Sequence, residues 1–285
     1  MIEKVESLPA VLTSFGYRSE YVAELDGLLA TVHEHHPDWP VVIGRGPAPG
    51  FELPTLEVES PRGKCYWTIP TSVGSDDCER EWVAGCMIKP WWIAQVWHNF
   101  GDLVDADRNR LVWTDADSRL NCPLDFELDP EAEVLVAAWS PPDPELPDYN
   151  AICGGTLLFQ GVKQGVVESM VDQWWEKCFI SITAPQPPRW YWRPNDDQDA
   201  LTEVIGELDA SGADYKIVKL DPQKYAACPT ADCKLVARGV VDHWGMFLKM
   251  QLPEYRDRNW PPPEEYRRNA RIGDPVPNIN WRRGE

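Results

Sequence analysis

Leu111-Val112-Trp113-Thr114-Asp115-Ala116-Asp117 decides how this chain is read. The apolar run Leu111 to Thr114 has strand composition, and it ends directly in two carboxylates one residue apart. In open α/β sheets ligands collect at the carboxyl ends of strands, so a strand that stops at Asp115-x-Asp117 places two acids where a site is expected. Two carboxylates at an exposed strand end can share a hard divalent cation and its phosphate ligands. Oxygen donors suit Mg²⁺ or Mn²⁺. The triplet alone is a modest signal in so acidic a chain, where a plain turn after a strand reads the same way.

Outward toward the N-terminus, Ala10-Val11-Leu12-Thr13-Ser14-Phe15 reads as a strand. After Gly16 comes a helix with Val22, Leu25, Leu28, Leu29 and Val32 at helical spacing, ended by Pro37 and Pro40. Val41-Val42-Ile43 is a second strand that stops at Gly44-Arg45-Gly46-Pro47. This opening is a βαβ unit, which predicts a mostly parallel, Rossmann-like central sheet flanked by helices. Residues 50 to 87 carry no clear pattern. Lys89-Pro90 introduces a helix bearing Trp92, Ile93, Val96 and Phe100, with proline in the first turn, where its missing N–H costs nothing.

On the other side, Ile152 to Phe159 is a strand carrying Gly154-Gly155, and Val166, Val167, Met170, Val171, Trp174 and Trp175 form the stripe of an amphipathic helix. Asp196-Asp197-Gln198-Asp199 opens a further helix through Ile205 and Leu208. Acids in a first helical turn favour the dipole, so part of that cluster needs no function, and an N-cap role for Asp196 or Asp197 stays open. The stretch from Tyr255 to Arg283, rich in proline and arginine, reads as an extended C-terminal arm (255–285) laid over one catalytic domain (1–254).

With 46 acidic against 27 basic residues the formal charge is −19, a field that repels nucleic acid and anionic membrane surfaces. The apolar runs are too short to cross a bilayer, and Met1 to Glu6 lacks a signal-peptide core. Eight cysteines without a CxxC pair argue against a zinc cluster or a disulfide framework; Cys228 and Cys233 are the one close pair. A cytoplasmic, reduced protein is expected. Fifteen tryptophans are mostly core, although Arg189-Trp190-Tyr191-Trp192-Arg193 is a candidate acceptor surface.

Taken in order, Val112 to Asp117, Cys122-Pro-Leu-Asp-Phe-Glu-Leu128, Cys153-Gly-Gly-Thr-Leu-Leu-Phe159, Asp197-Gln-Asp-Ala-Leu-Thr202 and Val241-Asp-His-Trp-Gly245 resemble the glycosyltransferases of the GT-A fold. The pattern is most similar to the retaining glycogenin and lipopolysaccharide galactosyltransferase group, over roughly residues 8 to 250. The resemblance implies a metal-dependent transfer of a sugar from a nucleotide-diphosphate sugar, UDP-sugar favoured, to a hydroxyl acceptor. It implies that Asp115, Asp117 and His243 hold Mn²⁺ or Mg²⁺. It places Ser14, Phe15, Tyr17, Asp115, Ala116, Gly154, Gly155 and Lys249 on the nucleotide sugar, and Asp197 and Gln198 beside the anomeric carbon. The chain departs from the family at its end, reading His243-Trp-Gly245-Met-Phe-Leu-Lys249 for a His-x-x-Gly-x-x-Lys pattern. The family's Asn-Ala-Gly matches Cys153-Gly154-Gly155, or Asn150-Ala151 with an insertion. Lys89 resembles the lysine that precedes the strand and Asp-x-Asp of this fold, with a structural role set beside donor binding.

The chemistry wants such groups. Breaking a sugar–phosphate bond develops charge on the leaving diphosphate, which a divalent cation stabilises. The anomeric carbon acquires oxocarbenium character, which a carboxylate or amide oxygen stabilises. Glycan, small molecule, protein and modified DNA base are all open as acceptors. A sugar-nucleotide pyrophosphorylase would want a glycine-rich basic phosphate loop after the first strand, where this chain has Ser14-Phe15-Gly16-Tyr17-Arg18. A non-catalytic carbohydrate-binding protein is the alternative from another class.

Overall fold

Residues 11 to 16 are apolar or small at every position, so as a strand they demand cover on both faces. In the computed structural model they receive it: β1 (Val11–Gly16) is buried throughout. Residues 9–17, 19–70, 85–104, 109–124, 129–138, 152–183, 197–212, 214–225 and 239–243 are described. The arm 255–285, the boundary at 254, the acceptor candidate 189–193, Asp196, Lys249, Cys228 and Cys233 lie outside them.

The expected βαβ opening forms. Helix α1 (Ser19–His35) links β1 to β2 (Val41–Arg45), which pairs with β1 in parallel, Ser14 beside Ile43 and Gly16 beside Arg45. Within the stretch without a pattern, residues 55–68 form a hairpin, β3 (Thr55–Ser60) and β4 (Gly63–Thr68), laid antiparallel on β2. Its turn needs Gly63, whose φ of 98° few other residues adopt. Only Leu56, Val58, Cys65 and Trp67 face inward, which is why hydropathy alone does not reveal it.

Helix α2 (Lys89–Phe100) leads to β5 (Arg110–Thr114), parallel to β1. There follow β6 (Ser118–Leu120), β7 (Val134–Ala138), β8 (Ile152–Gln160), α3 (Val166–Thr183), α4 (Asp197–Ser211), β9 (Ile217–Leu220), the short α5 (Pro222–Tyr225) and β10 (Val241–His243). The eight-stranded sheet has the order β4-β3-β2-β1-β5-β8-β7-β9. β3 and β8 run against the other six, so the sheet is mainly parallel in direction but mixed in pairing. β6 and β10 form a separate antiparallel pair.

Two cores sandwich the sheet. On one side α2, α3 and α4 press Trp92, Trp113, Phe159 and Trp174 against it; on the other, α1, β6, β10 and α5 enclose Leu12, Leu28, Val112, Leu158 and Val241. Each buried tryptophan removes about 200 Å² from water, worth about 5 kcal/mol gross at 25 cal/mol per Å². Their indole N–H groups still need acceptors. Trp92 donates to Thr13 Oγ1 at 2.8 Å, and that hydroxyl donates to Val42 O, stitching α2 to β1 and β2. Among the described residues no helix is long and apolar enough to cross a membrane.

Candidate functional site

Asp115 follows the last residue of β5, and its N–H donates to Gly155 O of β8 at 2.9 Å. The Ser118 N–H returns to Asp115 O at 3.0 Å, so residues 115–118 form a tight turn that sends the chain into β6. The turn is less open than the sequence leads one to expect. Asp115 retains about a fifth of its side-chain exposure, but Asp117 is 2% exposed and Ala116 is packed with Leu25 and Ile43. The reading of both acids as exposed strand-end groups is corrected for Asp117, because the turn packs on α1 through Ala116 and leads directly into the fully buried β6.

Lys89 assembles the site. It opens α2 within the apolar run Met87 to Trp92, is 5% exposed, and places Nζ 3.1 Å from Asp115 Oδ1 and 2.5 Å from Asp197 Oδ2. The same ammonium donates to Gly154 O at 3.3 Å and lies over the Trp113 ring. Burial opposes its charge, yet the carboxylates of Asp115 and Asp197 outweigh that penalty and hold its pKa well above the ordinary lysine value. It is therefore a permanent cation shared by the end of β5 and the start of α4.

Two tryptophans fix the partners. Trp113 Nε1 lies 3.0 Å from both Asp115 Oδ1 and Gly154 O, while Trp174 Nε1 donates to Asp197 O at 2.7 Å. Gly154 N–H donates to Gln198 Oε1 at 3.1 Å. A Cβ at Gly154 would stand 3.1 Å from Asp197 Oδ2, 3.2 Å from Gln198 Cγ and 3.2 Å from Lys89 Nζ, so any larger residue would push these three side chains outward by a few tenths of an ångström. The acids Asp197 and Asp199 in the first turn of α4 also favour its dipole.

The structure thus brings Asp115, Gly154, Asp197 and Gln198 into one hydrogen-bonded group, with Gly155 bonded to its edge. His243 approaches by strand pairing: the β6–β10 register sets it across from Ser118, the residue after Asp117. Asp242 anchors that pairing, accepting from Asn121 Nδ2 at 2.7 Å and from Gly239 N at 3.0 Å. Asp115, Asp117 and His243 are an oxygen, oxygen and nitrogen donor set of the type that suits Mn²⁺. Among the described residues no three His, Cys, Asp or Glu side chains converge on one point, and the His243 side chain lies outside that set. Ser14 and Phe15 are buried at the end of β1, Phe15 packing on Trp92 and Trp113 at ring distances of 5.9 and 5.5 Å. Tyr17 is half-buried against the same core.

Sequence reasoning left Lys89 between two roles and missed Trp113 and Trp174. A signal for the lysine was available: a lone cation in an apolar run that must be buried requires an anionic partner.

The mixed eight-stranded sheet, backed by helices on both faces, is similar in fold to solved glycosyltransferases. The resemblance is visible in a glycosyltransferase involved in the glycosylation of the major capsid of PBCV-1, with a TM-score of 0.50 at 13% identity, covering 83% of this chain and 92% of that one. GlyE of Streptococcus pneumoniae TIGR4 gives 0.45 at 13% identity over 83% of this chain, and the bifunctional glycosyltransferase WbbM gives 0.43 at 12% over 85%. This chain spans about half of those two, covering 54% and 47% of them. At such identities the likeness concerns the fold. No protein-family profile and no curated protein matches the sequence.

Proposed function

We propose that the chain is a metal-dependent glycosyltransferase that moves a sugar from a nucleotide-diphosphate sugar, UDP-sugar favoured, to a hydroxyl acceptor. The observation that carries this reading is the Lys89 bridge, which joins the Asp-x-Asp strand end to the Asp197-Gln198 helix start across Gly154. Two acids from separate elements, held by one buried cation at the carboxyl edge of the sheet, form a site prepared for charge separation.

Asp115 and Asp117, with His243, would hold Mn²⁺ or Mg²⁺, which when bound supplies Lewis acidity to the leaving diphosphate. Lys89 holds the Asp115 and Asp197 carboxylates close to one another. The Gly154 N–H orients the Gln198 carboxamide, so this oxygen and the Asp197 carboxylate lie together where positive charge at an anomeric carbon needs stabilisation. Being ion-paired and buried, Asp197 suits an electrostatic role better than that of a base taking the acceptor's proton. That favours retention of configuration over inversion.

Thermal-shift screening of UDP-, GDP- and dTDP-sugars with and without Mn²⁺ tests the reading. A ligand at 100 times its Kd stabilises the fold by about 2.7 kcal/mol. Proton NMR of the anomeric signal in the first product then assigns the stereochemistry. A chain that none of these donors stabilises, with or without metal, overturns the proposal.

A further inference from the structure

β6 and β10 pair over three positions, Ser118 with His243, Arg119 with Asp242 and Leu120 with Val241, and among the described residues they join no strand of the large sheet. A two-stranded ribbon this short does not hold itself in water. Yet two members of the candidate metal set depend on it, because Asp117 immediately precedes β6 and His243 ends β10. Its place must be set from outside.

Helix α1 sets it. Glu24 Oε2 accepts from Arg119 Nη2 at 2.7 Å, and the same guanidinium donates through Nη1 to Ser118 O at 2.8 Å, the residue that closes the turn begun at Asp115. Two turns further along α1, Thr31 Oγ1 accepts the Leu120 N–H at 3.2 Å, and just beyond the helix His36 Nε2 accepts the Leu124 N–H at 2.8 Å. β6 then carries β10: Asn121 N–H donates to Val240 O at 2.9 Å, and its Nδ2 donates to Gly239 O at 2.9 Å and to Asp242 Oδ2 at 2.7 Å. The hydrogen bonds therefore run from α1 to β6 and from β6 to the strand of His243.

The Glu24–Arg119 pair is the part of this clasp that fixes position. Glu24 is 6% exposed and Arg119 1%. Apolar side chains of the same volume would hold α1 on β6 at least as firmly, so stability alone does not call for a buried ion pair here. A guanidinium fork differs in accepting its partners in one geometry. The helix is hollowed to seat it: a Cβ at Gly27 would stand 2.1 Å from Arg119 Nη2, 2.4 Å from Cζ and 2.7 Å from Nε.

We propose that the buried Glu24–Arg119 pair is a positioning device that fixes the Asp117 turn against the strand bearing His243, and so sets the divalent-metal affinity of the chain without touching the metal. This rests on the metal-dependent reading above and adds to it residues that stand behind the ligands.

The test is calorimetric titration of Mn²⁺ in the presence of UDP on the parent, Glu24→Gln, Gly27→Ala and Val96→Ala. Gly27→Ala keeps both charges and only displaces the guanidinium, so it decides the matter if Glu24→Gln does not fold. Val96 is fully buried in the opposite core, and its truncation is the control for general destabilisation. The Mn²⁺ Kd is expected to rise about tenfold or more in Glu24→Gln and Gly27→Ala, the loss usual when a group behind a metal ligand is removed. Val96→Ala should keep the parent value. Hydrogen exchange at the Leu120 and Asn121 amides should quicken in the first two variants and not in the control. Parent-like affinity in folded Gly27→Ala overturns the proposal, and so does an equal loss in Val96→Ala, which would reduce the pair to ordinary packing. A parent that binds no Mn²⁺ beside UDP instead overturns the metal-dependent reading itself, and the proposal with it.

Discussion

Replacing Lys89 by methionine keeps the length and most of the volume of the side chain while deleting its charge, which makes it the sharpest probe of the site. In the parent the side chains of Lys89, Asp197 and Asp115 are 6%, 3% and 22% exposed. Solvent therefore screens little of what is lost. Breaking a buried ion pair by removing one partner costs about 3–5 kcal/mol, and here the residue removed separates two carboxylates, which puts the loss toward the upper end. At about 2–4 °C per kcal/mol for a chain of this size class, the melting temperature should fall by about 10 °C. Lys89→Arg, which keeps the charge, should be intermediate. Calorimetric melting of the three proteins, with donor turnover alongside, makes the measurement. A Lys89→Met protein that melts within about 2 °C of the parent at neutral pH would show that Asp115 and Asp197 are not held by this cation, and the electrostatic argument for the site would fall with it.

His36 is 1% exposed, stacks on Trp39 and accepts the Leu124 N–H at Nε2, and burial followed by the neighbouring His35 lowers its pKa from 6.5 to about 4. The unfolded chain takes up the proton first, so the stability His36 contributes is full above 6.5 and is lost as pH falls toward 4. The loss is at most about 3.4 kcal/mol, and it should be absent from His36→Gln when both proteins are melted across that pH range. The guanidinium of Arg119 pairs with Glu24 at 2.7 Å, with both groups buried, and it fills the notch at Gly27, where a Cβ would meet it at 2.1 Å. Glu24→Ala should cost about 3–5 kcal/mol, and Gly27→Ala, which in an open helix would stabilise by up to about 1 kcal/mol, should destabilise; denaturant melts giving the opposite sign would refute the packing. Asp115→Asn should abolish metal-dependent turnover and lower the melting temperature by less than Lys89→Met does, since the buried ammonium keeps Asp197 as its counter-charge; Asp117→Asn, being buried, should lower both. Gln198→Ala should cut the maximal rate far more than donor affinity, since its oxygen is argued to act as charge develops; a pure loss of affinity would place it in donor binding alone.

What the sequence determined by itself was local. β1, α1, β2, α2, β5, β8, α3 and α4 announce themselves through periodicity, proline and glycine punctuation and first-turn acids, all set by neighbours within a turn or a few residues of strand. The Asp-x-Asp at the end of β5 was legible for the same reason. β3 and β4 were not, because an exposed hairpin lacks a hydrophobic pattern, and β9 is a run of four residues with Lys219 inside it; β7, an apolar run as long as β2, went unread because no helix or motif adjoins it in the sequence. The tertiary structure alone decided that Lys89 reaches Asp197 across Gly154, that β10 carries His243 to Ser118, and that Asp117 is enclosed while Asp115 keeps about a fifth of its exposure. Those outcomes depend on which helix packs on which strand and in which register. Pairings between residues as far apart as Lys89 and Gly154, 65 positions along the chain, are selected by burial and charge satisfaction over the whole sheet, and no local window contains them.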